Sequence, residues 1–177
     1  MFRDKYARLE RERRFLICEL PEEIANSSGF SLIEDLYIDD TRLRLRKVSD
    51  SEGQLIERKL GQKFLPDPSR PEEALMTNIY LDQQEYELLA ALKGKPLRKC
   101  RLAYGYKERL FSIDLFEGPL AGLTLCEIEL AQDDQSELEL PHFVGQELTQ
   151  DPFFTGASLI NAQQAQLKEK LAHVCKA

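Results

Sequence analysis

The chain lacks the cysteine spacing that marks a zinc-binding domain. Its four cysteines are Cys18, Cys100, Cys126 and Cys175, and no two of them form a C-x-x-C pair. Because paired cysteines at short spacing are the usual zinc signature, a zinc site is not expected. Cys126 lies in a stretch that alternates apolar residues, and we expect it to be a buried free thiol.

Long apolar runs are also absent. No stretch approaches the roughly 20 consecutive apolar residues that a membrane-spanning helix needs, so we expect no membrane partner. The segment Met1–Arg14 is dense in charge, unlike the apolar centre of a secretory signal peptide. A reducing cytoplasm is therefore the expected compartment.

Positive charge is in deficit, with 24 lysines and arginines against 31 acidic residues and a net charge of −7. Proteins that coat nucleic acid are usually basic, so a nucleic-acid partner is not expected, although a local basic pocket stays open. The length of 177 residues suits one domain with a sizeable core. We therefore treat 1–177 as a single domain.

What the sequence does contain is an alternation of arginine and leucine at Thr41–Val48, which reads TRLRLRKV. A period of two predicts a strand, because successive side chains leave a strand on opposite faces. Arg42, Arg44 and Arg46 then share one face, about 7 Å apart along the strand. Since like charges repel, an anionic group is expected opposite them.

Other stretches show the same period. Predicted strands cover Tyr6–Leu20, Phe30–Ile38, Gln54–Phe64, Ala74–Leu81, Pro96–Tyr106, Arg109–Glu117 and Leu123–Leu130. A turn is expected at Ser49–Gly53 and a short helix at Glu22–Asn26. Asp82 is expected to cap a helix that ends at Gly94, and one amphipathic helix is predicted over Ala157–Cys175. The total is about seven or eight strands.

The charged faces of these strands divide by sign. The cationic positions are Arg42, Arg44, Arg46, Lys59, Lys63, Lys99 and Arg101, and the anionic ones are Glu10, Glu12, Asp114, Glu127 and Glu129. Many strands in one chain close readily into a barrel. Apolar faces pointing inward would leave the charges as a solvated surface. Apolar faces pointing outward would leave a tunnel lined with charge.

A charged tunnel of this kind would suit one class of ligand. Paired carboxylates bind hard divalent cations such as Mg²⁺, and arginine and lysine bind phosphate oxygens. Cations on one wall, acids on another and a metal between them describe a polyphosphate site.

The segment E-R-E-R-R-F at Glu10–Phe15 resembles the E-x-E-x-K opening of the CYTH domains, also called triphosphate tunnel metalloenzymes, with Arg14 at the lysine. Six later segments, in order over almost the whole chain, are similar to further motifs of that family. They are R-L-R at Arg44–Arg46, L-G-Q-K at Leu60–Lys63 (for L-T-x-K), R-K-C-R at Arg98–Arg101 (for K-T-R), D-L-F-E-G at Asp114–Gly118 (for D-x-F-x-G), C-E-I-E-L at Cys126–Leu130 (for A-E-x-E) and G-Q-E-L-T at Gly145–Thr149 (for G-x-E-V-T). Gly61 and Cys100 stand where the family has threonine.

The resemblance implies a mainly β (α+β) fold: an eight-stranded antiparallel closed β-barrel with flanking helices, including one at the C-terminus. It implies hydrolysis of a triphosphate, such as tripolyphosphate or a triphosphorylated small molecule, with Mg²⁺ or Mn²⁺. The metal ligands would be Glu10, Glu12, Asp114, Glu127 and Glu129. The phosphates would be bound by Arg14, Arg44, Arg46, Lys59, Lys63, Lys99 and Arg101. Tyr37, Lys63 and Lys99 are the candidate catalytic residues, and in related enzymes a tyrosine at the place of Tyr37 is thought to help activate water.

Three other readings stay open. Adenylate cyclase is a second activity of the resembled family. A binding module for polyphosphate or nucleotide, without turnover, is suggested by the departures at Gly61 and Cys100. A plain barrel scaffold with ion-paired walls is the last. In the hydrolase, cyclase and binding-module readings the partner is a small anionic molecule, and the chain is expected to act as a monomer or homodimer.

Overall fold

The computed structural model of the chain describes residues 6–175 and contains eight strands. They are β1 Arg8–Leu16, β2 Phe30–Ile38, β3 Leu43–Asp50, β4 Leu55–Phe64, β5 Glu73–Tyr80, β6 Gly94–Tyr106, β7 Arg109–Phe116 and β8 Thr124–Leu130. They form a closed barrel in the order β1-β5-β4-β3-β2-β6-β7-β8. Every neighbouring pair is antiparallel. The predicted fold class is confirmed.

Helices are few and short. They are α1 Glu22–Ala25, α2 Gln83–Ala90, α3 Gly156–Leu159 and α4 Gln164–Val174, with 3₁₀ turns at Gly118–Leu120 and Pro152–Phe154. The predicted cap at Asp82 is confirmed, because its carboxylate accepts from the Glu85 amide while the Glu85 side chain accepts from the amide of Asp82. Within residues 6–175, no helix combines the length and apolar character needed to cross a bilayer.

The C-terminal region was predicted as one helix over Ala157–Cys175, and that prediction is wrong. The structure has two helices there, α3 and α4, separated by residues 160–163. Thr155 caps α3 by accepting from the amide of Ser158. Gln163 and Gln166 form a reciprocal cap that starts α4. A second set of capping groups within the predicted span therefore begins a new helix.

The turn predicted at Ser49–Gly53 begins later than expected, because Ser49 and Asp50 belong to β3. The Asp50 carboxylate accepts from the amides of Glu52 and Gln54, which places the turn after Asp50. The register of β3 against β4 shifts between Val48 and Ser49. After this bulge, β3 continues through Ser49 and Asp50, two residues beyond the segment in which arginine and leucine alternate.

The charged positions face the interior of the barrel. Directly paired residues of antiparallel strands project to the same side, and the pairs include Arg14 with Glu127, Arg46 with Asp35 and Arg101 with Asp114. Arg101 on β6 also interacts with Glu12 on β1, and Lys99 with Arg46 on β3, strands that do not pair with β6. Of the two arrangements left open by the sequence, the charged lumen is the one present.

The alternate, outward positions form an apolar core outside the barrel. Phe15, Phe111, Ile113, Cys126 and Ile128 are each at most 2% exposed. The segment 138–144 packs over them through Leu138, Leu140, Phe143 and Val144. Cys126 is a buried free thiol, as predicted, and burial raises its pKa to about 12.

One end of the barrel interior is filled by apolar side chains. Inner-face residues Leu16, Leu97, Phe116 and Leu125 form a second buried cluster. The cluster is completed by residues from the C-terminal part of the chain and from the turn after β7, namely Leu120, Leu148, Phe154, Leu159 and Leu167. The helices α3 and α4 therefore close this end, and the charged residues occupy the rest of the lumen.

Cys18, just after β1, is joined by a disulfide to Cys175, just after α4. The sequence did not predict this pairing, because the two residues lie 157 positions apart. Disulfides are rare in reducing compartments, so the bond weighs against the expected cytoplasmic location, which stays a prediction. It fastens the helices that close the barrel to the strand that carries Glu10, Glu12 and Arg14.

Removing the disulfide should lower stability considerably. The cross-link closes a loop of 157 residues, so Cys18→Ser should reduce the free energy of unfolding by about 3–5 kcal/mol. Urea denaturation of oxidised wild type and variant measures the difference. Cys100→Ser is the matched control, since Cys100 is a free thiol. Equal stability of the wild type with and without reductant would contradict the expectation.

Candidate functional site

Arg14 links two of the predicted metal ligands. Its Nε donates to Glu127 Oε1 at 2.9 Å and its Nη2 donates to Glu12 Oε1 at 2.7 Å. The geometry follows from register, because Arg14 lies directly opposite Glu127 in the β1–β8 pair and Glu12 lies opposite Glu129. A lysine ammonium lacks the planar guanidinium group whose separate nitrogens can bond two carboxylates at once. Arg14 therefore links Glu12 and Glu127 in a way that a lysine would not.

The deepest part of the lumen is a network of ion pairs around a fully buried Asp114. Asp114 accepts from the Lys99 ammonium and from two nitrogens of Arg101, at 2.6 and 2.7 Å. Arg101 also donates to Glu127 at 2.7 Å. Burial lowers the pKa of Lys99, against the effect of Asp114. Burial alone would raise the pKa of Glu127, but Lys99, Arg14 and Arg101 hold it well below the usual range.

The anion opposite the arginine strand is Asp35, a residue that sequence reasoning missed. Arg46 donates to both of its oxygens, at 2.6 and 2.7 Å, and Arg44 Nε lies 3.8 Å from Asp35 Oδ1. Asp35 is 4% exposed. Burial would raise its pKa, but Arg46 and Arg44 lower it below the usual value. The sequence did offer one indication of its place: Asp35 and Tyr37 lie two residues apart on β2 and therefore share a face of that strand.

Tyr37 lies on the inner face of β2, where it packs against the apolar closed end of the lumen. Its hydroxyl accepts a hydrogen bond from Arg44 and lies so close to Gly156 that no side chain would fit there. Burial raises the pKa of Tyr37, and Arg44 only partly offsets this. The phenol is therefore protonated at neutral pH, which favours a hydrogen-bonding role over that of a general base.

Lys59 and Lys63 lie on the inner face of β4. Lys59 Nζ is 2.6 Å from Glu57, whereas Lys63 Nζ is 3.8 Å from Glu12. The Lys63 side chain is 40% exposed, more than any other cation predicted to bind phosphate. Among those cations, Lys63 is therefore the one most open to an incoming anion.

Three acids cluster where β1 and β8 run toward the solvent-exposed mouth of the lumen. Burial raises the pKa of Glu10; Lys63 opposes this, while Glu129 and Glu12 add to it. Glu129 pairs with Arg8 at 2.6 Å, with both side chains largely exposed. Mutual repulsion of carboxylates is relieved by a cation, and their oxygens are the donors that Mg²⁺ and Mn²⁺ prefer.

Within residues 6–175, no three acidic, histidine or cysteine side chains are arranged to hold a metal as they stand. Asp114 and Glu127 are engaged by Lys99, Arg101 and Arg14 instead. Glu12 and Glu129 also pair with cations, Arg14 and Arg8, but their side chains are more exposed than those of Asp114 and Glu127. Together with Glu10 they are, of the predicted metal ligands, the acids most accessible to a divalent cation.

The barrel brings all of the predicted site residues to one inner face. They are Glu10, Glu12, Arg14, Tyr37, Arg44, Arg46, Lys59, Lys63, Lys99, Arg101, Asp114, Glu127 and Glu129. Their roles stay predictions. Chemically, the arrangement places guanidinium and ammonium donors in an enclosed space, most of them paired with a carboxylate of the same face.

No protein-family model matches the chain. An inorganic triphosphatase from Acetivibrio thermocellus is 31% identical over 84 residues, which is 47% of this chain and 53% of that protein. The chain thus spans about half the length of the curated relative that it matches. The crystal structure of another inorganic triphosphatase superimposes with a TM-score of 0.54 and 23% identity, over 86% of this chain and 95% of that one. This likeness supports the barrel fold.

Substituting Asp35→Asn should destabilise the fold, because it leaves Arg46 buried without its anion. The expected loss at neutral pH is about 3–5 kcal/mol in the free energy of unfolding. The pKa of Asp35 is lowered on folding, so its contribution is present above the unfolded pKa of about 4 and is lost as pH falls through the folded value.

Denaturant unfolding of both proteins at pH 7 and at decreasing pH measures this effect. The matched control is Glu34→Gln, whose residue forms a half-exposed pair with Lys47 on the outer face of the same strand. Its cost should be below about 1 kcal/mol. A loss for Asp35→Asn that is no larger than the control, or that stays constant toward low pH, would contradict the role of Asp35.

Proposed function

We propose that this chain hydrolyses a triphosphate inside the barrel with the help of a divalent metal. The observation that supports the proposal is the single inner face that carries the cations of β1, β3, β4 and β6 together with the acids of β1, β7 and β8. The partial similarity to the inorganic triphosphatase of Acetivibrio thermocellus points the same way. Tripolyphosphate, or a small molecule with a triphosphate group, is the proposed substrate.

Substrate binding would proceed as an exchange of anions. Arg44 and Arg46 share Asp35, and Arg14 and Arg101 share Glu127. A phosphate chain offers more oxygens and more negative charge than these carboxylates, so it can replace part of the pairing at each guanidinium. Lys63, the most open of the predicted cations, would meet the anion first.

The metal would be held by Glu10, Glu12 and Glu129, with Glu127 available once phosphate takes over Arg14 and Arg101. A bound Mg²⁺ or Mn²⁺ supplies charge neutralisation at phosphoryl oxygens and orients water. Lys99 and Arg101 stay fixed by Asp114, so they require little reorganisation to stabilise negative charge on the transferred phosphoryl group. The protonated Tyr37 can donate a hydrogen bond near Arg44.

A second candidate is triphosphate binding without turnover. The observation that favours it is the pairing of Glu127 and Asp114 with cations, together with the raised pKa of Tyr37. In that case the lumen would hold the anion firmly, while no group would activate water. Tight binding with no phosphate release separates this candidate from the enzyme.

The proposed metal-binding acids can be tested at Glu10, for which no ion pair is found within residues 6–175. Glu10→Gln should raise the metal concentration required for phosphate release from tripolyphosphate by at least about tenfold. Because the pKa of Glu10 is raised in the fold, its ionised form opposes folding at neutral pH. The metal-free variant should therefore be as stable as the wild type or more stable.

Phosphate release with increasing Mg²⁺ or Mn²⁺, and denaturant unfolding without metal, measure the two effects. Glu34→Gln on the outer face of β2 is the matched control and should behave like the wild type. An unchanged metal requirement in Glu10→Gln would contradict its assignment. If ATP were converted mainly to cyclic AMP, the reaction would be a cyclisation and the proposed hydrolysis would be wrong.

A further inference from the structure

The segment 145–149, which reads GQELT, contributes no side chain to the proposed metal and phosphate sites. It runs instead along the second half of β1. β5 pairs with β1 only at residues 8–11, and farther along the strand this segment occupies the edge that β5 has left. The amide of Leu148 donates to the Arg14 carbonyl at 2.7 Å. A predicted phosphate-binding residue therefore has part of its backbone bonded to the segment.

Thr149 completes the bonding of this backbone. The amide of Arg14 donates to the Thr149 hydroxyl at 3.0 Å, and the hydroxyl donates to Glu147 Oε1 at 2.7 Å. Glu147 in turn accepts from two nitrogens of Arg13, at 2.9 and 2.6 Å. Thr149 is buried, and a buried backbone amide without a partner is costly. Thr149 and Glu147 thus hold two neighbouring residues of β1 as one unit.

The segment has anchors of its own. A Cβ at Gly145 would lie 3.1 Å from the carbonyl oxygen of Leu16, the same oxygen that accepts from the Gly145 amide at 2.8 Å. Glycine therefore permits the close approach to β1. The Leu148 side chain is buried in the apolar cluster that closes the barrel. These anchors consist of backbone bonds and apolar packing, and neither involves a charged residue of the lumen.

We propose that Thr149 is a positioning residue that fixes Arg14 while the guanidinium of Arg14 exchanges its carboxylate partners for phosphate. In the structure that guanidinium is held by Glu127 and Glu12, and under the proposed function a phosphate chain takes over part of this pairing. The bond between the Thr149 hydroxyl and the Arg14 amide involves no group that the substrate would displace. It therefore supports the binding side chain from behind. This inference rests on the proposed function and adds a residue to the same site.

The chemistry favours a hydroxyl at this place. One hydroxyl can accept from an amide and donate to a carboxylate at the same time. Valine has nearly the shape of threonine but can do neither, so Thr149→Val would leave the Arg14 amide unpaired. Serine retains both bonds. The pair of variants Thr149→Val and Thr149→Ser therefore separates the hydroxyl from the shape of the side chain.

Nitrogen-15 NMR of the arginine side chains, in the protein without added ligand, tests the positioning directly. The Nε–H resonance of Arg14 is assigned by its absence in Arg14→Lys. In Thr149→Val this resonance should shift or broaden, while that of Arg98 on the outer face of β6 should stay in place. Thr149→Ser should retain the wild-type resonance. Thr77→Val, the same exchange on the outer face of β5, is the matched control and should leave it unchanged.

Titration calorimetry with inorganic tripolyphosphate in EDTA measures the consequence for binding, in the absence of metal-dependent turnover. Thr149→Val should raise the Kd roughly fivefold to tenfold, a coupling usual for residues in contact, and Thr149→Ser should stay within about twofold of the wild type. In an Arg14→Ala background, Thr149→Val should cause no further loss, because its effect passes through Arg14. Thermal unfolding shows that each variant is folded. If valine prevents folding, Thr149→Ala removes the same hydroxyl and carries the same expectations.

An unchanged Arg14 resonance in the variant without the hydroxyl would overturn the positioning, whatever the protein binds. Equal losses of affinity with and without Arg14, or a loss that Thr149→Ser shares, would overturn the action through Arg14 and leave the proposed function intact. A wild-type protein that binds no triphosphate would overturn the proposed function and the role of Thr149 in binding, even if the Arg14 resonance responds as expected.

Discussion

Pairing of buried charges is the constraint on which the rest of the structure depends. A guanidinium or carboxylate in an enclosed lumen is costly unless an opposite charge accompanies it. The barrel meets this requirement by register: Arg46 lies opposite Asp35, Arg101 opposite Asp114 and Arg14 opposite Glu127. The apolar faces are thereby free to pack outward, where Phe15, Phe111 and Ile113 form a core under a long loop.

The same pairs bear on how the barrel would bind the proposed polyanion. Each predicted phosphate-binding guanidinium already has an anionic partner, so its orientation is set before substrate arrives. Under the proposed function, binding would exchange one anionic partner for another at each guanidinium. The disulfide between Cys18 and Cys175 and the apolar cluster of α3 and α4 fix the closed end, which leaves the acids of β1 and β8 nearer the solvent.

Strand parity made the inner face predictable from sequence, because a period of two decides which residues share a side. Parity grouped Glu10 with Glu12 and Arg44 with Arg46 within their strands, and the family resemblance then joined the strands into one site. Which cation pairs with which acid was not predictable, because the pairing depends on register and on the stagger of strands around a closed barrel. Asp35 was missed because β2 carries a single acid on that face. The disulfide between Cys18 and Cys175 was missed because it depends on a contact between distant segments.

The central claim is that the inward arginines bind a triphosphate. Its most direct measurement is the shift in melting temperature of the metal-free protein on adding tripolyphosphate, compared between Arg44→Ala and Arg98→Ala, an outer-face arginine paired with Glu117. Ligand at about 100 times its Kd contributes roughly 2.7 kcal/mol, a rise of about 5–10 °C for a domain of this size. The wild type and Arg98→Ala should show this rise, while Arg44→Ala should lose most of it. An equal shift in Arg44→Ala, or none in the wild type, would contradict the claim.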